Sequence, residues 1–334
     1  MKKIINNPED FVNDMLAGIY LAHPDRLTCV DGDMRCMVKK NLKPGKVGIA
    51  TGGGSGHLPL FLGYIGDGLV DGCSIGDVFQ SSSAQQMYDV TKAISQGAGV
   101  LYIYGNYGGD KMNFEMASEM ADFEDGIRVT HVIGKDDVSA SNPDIRRGVA
   151  GIFFVYKIAG AAADEMRDLD EVTRIAQKAA DNVRTMGVAL SPCIIPRVGH
   201  PGFEFEENEM EIGMGIHGEA GVRRGALMSA KDTVEEMMQP ILDDMKLTGG
   251  DEVAVLINGL GATPLEEQYL AYRHVHEKLE SLGVKVFHVY VGEFATSLEM
   301  AGFSISVLRL DEELKTLLAK PASSPFWTQN QLEL

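Results

Sequence analysis

One histidine, His217, stands in the run Met210-Glu211-Ile212-Gly213-Met214-Gly215-Ile216-His217-Gly218-Glu219, at the end of an apolar, strand-like stretch. Glycines at 213, 215 and 218 leave the backbone bare around the imidazole, so a small molecule is expected to approach it closely. A neutral imidazole so placed can serve as a base, a metal ligand or a nucleophile toward a carbonyl.

A second cluster is Gly52-Gly53-Gly54-Ser55-Gly56-His57, which follows the apolar run 47–51. It fails as a dinucleotide fingerprint, because the third required glycine falls on His57 or on Pro59. It also lacks the Gly-Lys-Ser/Thr ending of a nucleoside triphosphate loop. Its backbone N–H groups still suit an oxygen-rich ligand, and His57 is within reach of the same ligand. A third loop, Gly105-Asn106-Tyr107-Gly108-Gly109-Asp110, ends in a carboxylate that is either a base or the N-cap of the helix after it. Asn258-Gly259-Leu260-Gly261-Ala262-Thr263-Pro264 reads first as a capped helix start, with Thr263 as N-cap and Pro264 at N1. The pairs Arg146-Arg147 and Arg223-Arg224 can grip phosphates or simply face solvent. His274 and His276, two apart on a predicted helix, do not share a face, and no metal site is expected there.

These loops need strands and helices to hold them. Strands are expected at 47–51, 99–104, 128–133, 210–216, 252–258, 284–291 and 304–310, with helices at 83–96, 111–120, 148–166, 169–186, 232–245 and 264–282. Such alternation predicts two α/β domains, each a largely parallel or mixed sheet with flanking helices, residues 1–190 carrying the glycine-rich loop and Asp110 and residues 191–334 carrying the His217 strand. The 334-residue length supports two domains, and residues 320–334 read as a surface tail. A formal charge of −18 argues against nucleic acid. The apolar stretch 148–163 carries Lys157 and is too short to span a bilayer, and the N-terminus lacks the apolar core of a secretory signal. The four cysteines have no metal-binding spacing, so reduced thiols and a cytoplasmic location are expected.

Taken in order, the segments 52–57, 63–66, 106–114, 146–151, 209–219, 258–264 and 296–304 resemble the substrate-binding subunits of dihydroxyacetone kinases. The resemblance implies that His217 attacks the ketone of a short ketose and holds it as a covalent hemiaminal. It implies that Asp110 accepts the proton of the hydroxyl to be phosphorylated, and that His57 assists as acid or base. Gly54, Ser55, Gly56 and Gly105 would line the ligand. No cofactor is expected on this chain itself. ADP or ATP with Mg²⁺ would sit on a separate nucleotide-binding subunit, recharged by a phosphotransferase-system component or replaced by free ATP, and the subunit would be a homodimer. The chain departs from the family at Gly105, where lysine is common, and at Leu58 and Ala220, so erythrulose stays beside dihydroxyacetone as substrate. A ketose-sensing co-regulator without kinase activity is the other reading of the resemblance.

Overall fold

The computed structural model describes residues 2–334 and divides them into two compact units, each assembled from separated stretches of chain. The first comprises Lys2–Gly134, Ile152–Ala180 and Glu313–Leu334; the second comprises Lys135–Gly151 and Asp181–Glu312. A single cut at 190/191 therefore does not describe the chain. The reason is strand pairing: residues 183–189 form a strand that hydrogen-bonds into the second unit's sheet, so the boundary precedes them.

The first unit runs through α1 (Phe11–Ala22), β1 (Leu27–Val30), β2 (Asp33–Lys39), β3 (Gly48–Ser55), β4 (Gly72–Val78), α2 (Ala84–Ile94), β5 (Val100–Gly105), α3 (Gly108–Asp125), β6 (Val129–Gly134), α4 (Ile152–Asp164) and α5 (Leu169–Asp181). Its sheet has the order β1-β2-β4-β3-β5-β6. β4, β3, β5 and β6 run parallel, and β1 and β2 extend the sheet antiparallel. The central strands are buried on both faces, as the unbroken apolar run of β5 requires. Helix α2 starts where expected, with Ser83 and Gln86 closing a capping box. Met87, Val90 and Ile94 of α2 pack with Tyr102, Tyr104 and Phe114 into one core. Helix α4 is buried all round from Ile152 to Ala163, as an apolar helix without a polar face must be.

The second unit contains β7 (Val183–Ala189), β8 (Glu209–Ile212), β9 (Arg223–Ala226), α6 (Ala230–Met245), β10 (Glu252–Gly259), α7 (Leu265–Ser281), β11 (Lys285–Gly292) and β12 (Gly302–Leu310). The sheet order is β11-β10-β12-β7-β8-β9. β10 is parallel to β11, but the pairs β10–β12, β12–β7, β7–β8 and β8–β9 are antiparallel. The sheet is mixed rather than largely parallel. The helix expected over 169–186 stops at Asp181, because the β-branched and apolar residues after it are recruited as β7 between β12 and β8. The strand expected to reach Ile216 ends at Ile212, where Gly213 takes φ 82° and turns the chain.

The chain then returns to the first unit as α8 (Glu312–Ala319) and the short strands β13 (Ala322–Ser323) and β14 (Thr328–Gln329). Residues 320–334 are no loose tail. Arg26 donates to the Ser323 carbonyl at 2.7 Å, and the Trp327 ring meets Phe153 edge-on at 5.0 Å. Among the described residues no helix is long and apolar enough to cross a membrane.

Candidate functional site

The triple glycine is not a loop. Gly52, Gly53 and Gly54 continue β3 as extended chain, and Gly52 and Gly53 pair with Ser74 and Ile75 of β4. Their missing side chains make room for protein. A Cβ at Gly52 would stand 2.4 Å from Ser74 Oγ, at Gly53 2.6 Å from the Phe61 ring, and at Gly54 2.6 Å from the backbone N of Gln80. Ser55 is buried and its Oγ donates to the Gly76 carbonyl at 2.8 Å. The turn proper begins at Gly56 (φ 99°) and delivers His57 into the interior. Its imidazole stacks on Phe79, with centroids 4.8 Å apart and planes 22° apart, and meets Phe61 edge-on. Both phenylalanines have positive φ, 67° at Phe61 and 59° at Phe79, a strained backbone that bulky residues rarely adopt and that concentrates at functional sites.

Asp110 lies in the first turn of α3, which is capped by Tyr107, so Asp110 is inside the helix rather than its N-cap. Its carboxylate is buried. The start of α3 is pinned to the segment that leaves β4. A Cβ at Gly109 would stand 2.7 Å from Ser81 Oγ, and Asn113 donates to the Ser82 carbonyl at 2.8 Å. Phe114 stacks on Tyr104 of β5 at 4.0 Å. Residues 79–82 thus touch both the His57 ring and the helix that carries Asp110. Gly105 closes β5, pairs with Gly134 of β6, and its carbonyl accepts from Tyr107 N–H at 2.8 Å.

His217 belongs to the second unit, on the turn after β8. Its backbone N–H donates to Glu219 Oε2 at 2.9 Å, and its Nδ1 lies 3.1 Å from Glu219 Oε1. One carboxylate therefore grips the residue twice. Gly215 is what admits it: a Cβ there would stand 2.1 Å from Glu219 Oε2 and 2.6 Å from Arg147 Nη1. The glycine read as an approach for ligand is filled by a protein carboxylate. Arg147 is itself tied to Asp137 Oδ2, to Ser139 Oγ and to the Gly213 carbonyl, each at 2.7 Å, with Nη1 4.0 Å from Glu219 Oε2. Burial works to raise the Glu219 carboxyl, but the hydrogen bond from His217, helped by the Arg147 charge, holds it below the usual carboxylate range.

A family model of the Dak1 domain matches residues 17–326. The chain belongs to the Dak1 family. It is 45% identical over 331 residues to the PTS-dependent dihydroxyacetone kinase 1, dihydroxyacetone-binding subunit DhaK, of Listeria innocua, spanning 98% of this chain and 100% of that protein. It is 38% identical to the L-erythrulose 1-kinase of Mycolicibacterium smegmatis, covering 99% of this chain and 59% of that one. Among solved structures, the dihydroxyacetone kinase of C. freundii in native form has a TM-score of 0.91 at 32% identity, covering all of this chain and 62% of that one. The dihydroxyacetone kinase operon co-activator Dha-DhaQ has a TM-score of 0.89 at 30% identity, covering 95% of this chain and 98% of that one.

Other candidates in this Dak1 chain have structural partners. Asn258 donates to the Ala295 carbonyl and Ser304 Oγ and accepts from Phe294 and Ala295 N–H, clamping the end of β10. Pro264, not Thr263, caps α7; Thr263 Oγ1 instead exchanges hydrogen bonds with the Gly302 backbone. Every one of these arginines has a partner, although Arg223 and Arg224 stay exposed: Arg146 forks onto Asp244, Arg223 pairs with Glu236, and Arg224 pairs with Glu211 while lying 4.8 Å over the Phe205 ring. His274 Nδ1 lies 3.1 Å from Glu277, and His276 sits edge-on to Tyr272. Sequence reasoning missed Glu219 and Phe79. The signal for Glu219 was present as a carboxylate two residues beyond a turn histidine.

Proposed function

We propose that this chain is the ketose-binding subunit of a multisubunit kinase for dihydroxyacetone or a similar short ketose. His217 adds to the ketone carbon and holds the sugar as a hemiaminal. Asp110 takes the proton of the hydroxyl that receives the phosphoryl group, and His57 assists as acid or base. Gly54, Ser55, Gly56 and Gly105 supply contacts around the sugar. The nucleotide, ADP or ATP with Mg²⁺, belongs to a separate subunit, served in a phosphotransferase system by a phosphocarrier, and the ketose-binding subunit works as a cytoplasmic homodimer. The observation that carries this reading is the end-to-end likeness to the Listeria dihydroxyacetone-binding subunit.

Two specific observations favour variants of it. The likeness to an L-erythrulose 1-kinase supports a four-carbon ketose as acceptor. The likeness to an operon co-activator supports a ketose sensor. Against the sensor stands the pair of buried groups, His57 and Asp110, because a protein that only binds has no need to deprotonate a hydroxyl.

Native mass spectrometry with dihydroxyacetone and erythrulose, followed by a phosphorylation assay with candidate nucleotide-bearing subunits, separates these readings. The expected result is a sugar-mass adduct that His217→Ala abolishes, and turnover with one subunit. An adduct that survives His217→Ala removes the nucleophile. Binding without turnover with every candidate subunit makes the chain a sensor.

A further inference from the structure

We propose that Glu219 is a positioning residue that holds His217 in the tautomer with its proton on Nδ1, so that the nucleophilic lone pair lies on Nε2. The inference rests on the proposed role of His217. A neutral imidazole has one N–H and one lone pair, and the partner of one nitrogen decides where the other stands. In free imidazole side chains that choice is only weakly biased. Here the carboxylate supplies two acceptor oxygens, and the turn presents two facing groups: the His217 backbone N–H on Oε2 and Nδ1 on Oε1. The backbone N–H cannot change its proton. It fixes one oxygen, and because an ionised carboxylate only accepts, the Nδ1 that faces the other at 3.1 Å makes a hydrogen bond there only if it carries the proton.

The surroundings are built to keep that carboxylate in place. Gly215 leaves the space that the Oε2 atom fills, and no side chain could share it. Arg147 borders the same space, its Nη1 4.0 Å from that oxygen, and is itself held by Asp137, Ser139 and the Gly213 carbonyl. Five residues from two stretches of the second unit thus converge on the orientation of one ring. A histidine needed only for packing requires none of them.

The chemistry makes use of both the position and the charge. The Nε2 lone pair forms the N–C bond while the carbonyl π pair moves to oxygen, which takes up a proton from solvent. The ring becomes a cation, and its Nδ1–H stays on the Glu219 carboxylate, which balances the new charge. The logic matches a carboxylate that orients and then stabilises a catalytic imidazole.

Glu219→Gln tests this because an amide has one acceptor and one donor where the carboxylate has two acceptors. The amide oxygen must go to the His217 backbone N–H, and the amide NH₂ then faces Nδ1. The lone pair moves to Nδ1 and the proton to Nε2, where it blocks attack. The measurement is ¹⁵N NMR of histidine-labelled protein without sugar, with the His217 signal assigned by its loss in His217→Ala. The expected result is a protonated Nδ1 in the natural protein, a protonated Nε2 in Glu219→Gln, and at least ~10²-fold slower adduct formation with dihydroxyacetone in that variant. Glu219→Asp, which keeps both acceptors, should recover part of the rate. A natural protein with its proton on Nε2, or a Glu219→Gln protein that keeps the Nδ1 proton, overturns the positioning role. The tautomer is read without sugar, so absence of any adduct in the natural protein would instead refute the role of His217. Circular dichroism and the urea midpoint of each variant exclude a folding defect as the cause.

Discussion

The backbone nitrogen of Gln80 stands 2.6 Å from the place where a Cβ on Gly54 would be, closer than real side chains come. The neighbouring atom is Phe79 Cα at 2.7 Å, so the obstacle is main chain and cannot rotate away. Gly54 is therefore the point where β3 and the segment leaving β4 are pressed together, and that segment carries the ring that stacks on His57. Gly54→Ala forces the two apart. The expected cost is about 1–3 kcal/mol of stability, the range for overpacking a filled interior. Urea unfolding measures it, and an unchanged midpoint would show that the close approach is not needed.

How much of this was legible in the sequence depends on whether the cause was local. The capping box at Ser83, the apolar run of β5 and the predominantly apolar α4, with Lys157 inside it, are written in adjacent residues, and their elements lie close to where the pattern places them. Gly52–Gly54 was legible as special but not as to why. Bare backbone can admit a ligand or a neighbouring chain, and only the fold shows that the space beside the Gly54 Cα is taken by the Phe79–Gln80 main chain. β7 followed a helix with one residue between them, and its strand character comes from β12, more than a hundred residues later. The end of the chain looked like a solvated tail because Trp327 finds Phe153 only in three dimensions. Glu219 stands two residues past His217 in the sequence, but its two hydrogen bonds depend on a turn that the alternation of apolar residues conceals.

Asp110 is expected to matter for transfer and not for capture. Asp110→Asn keeps the shape of the side chain in the first turn of α3 and removes its ability to take a proton. Turnover should fall by roughly 10²–10⁴-fold, the usual contribution of a positioned base. The sugar adduct on His217 should persist in native mass spectra. Full turnover would remove Asp110 from the chemistry, and loss of the adduct would make it a binding residue instead.

Acid should weaken the second unit through Asp244. The hydrogen bond from Arg146 comes first among the effects on its carboxyl; burial opposes it, and Arg184 adds to it, leaving the group at about 2 against an ordinary 3.8. Arg146 donates at 2.6 and 3.1 Å, and Arg184 Nε is also a partner. A carboxyl that ionises more easily when folded binds fewer protons there than in the unfolded chain. Its stabilisation is complete above pH 5 and lost as pH falls from about 4 toward 2, for about 2 kcal/mol in all. Urea midpoints between pH 7 and pH 2.5 should show that decline, and Asp244→Asn should start lower and decline less steeply. Parallel curves would mean that other carboxyls govern the acid limb.

Gly215→Ala separates the space around Glu219 from its charge. The new methyl group would stand 2.1 Å from Oε2, at the free end of a flexible side chain, so the carboxylate can swing away and the fold can survive. What cannot survive is the double contact with His217, since both oxygens are used in it. The variant should unfold within about 1–3 kcal/mol of the natural protein. It should nevertheless form the sugar adduct far more slowly, with the glutamate still present in the sequence. Such a loss assigns the effect to where the carboxylate stands rather than to the chain's overall charge. An adduct rate unchanged by the added methyl group would show that the imidazole needs no carboxylate on Nδ1, and the glycine at 215 would then serve packing alone.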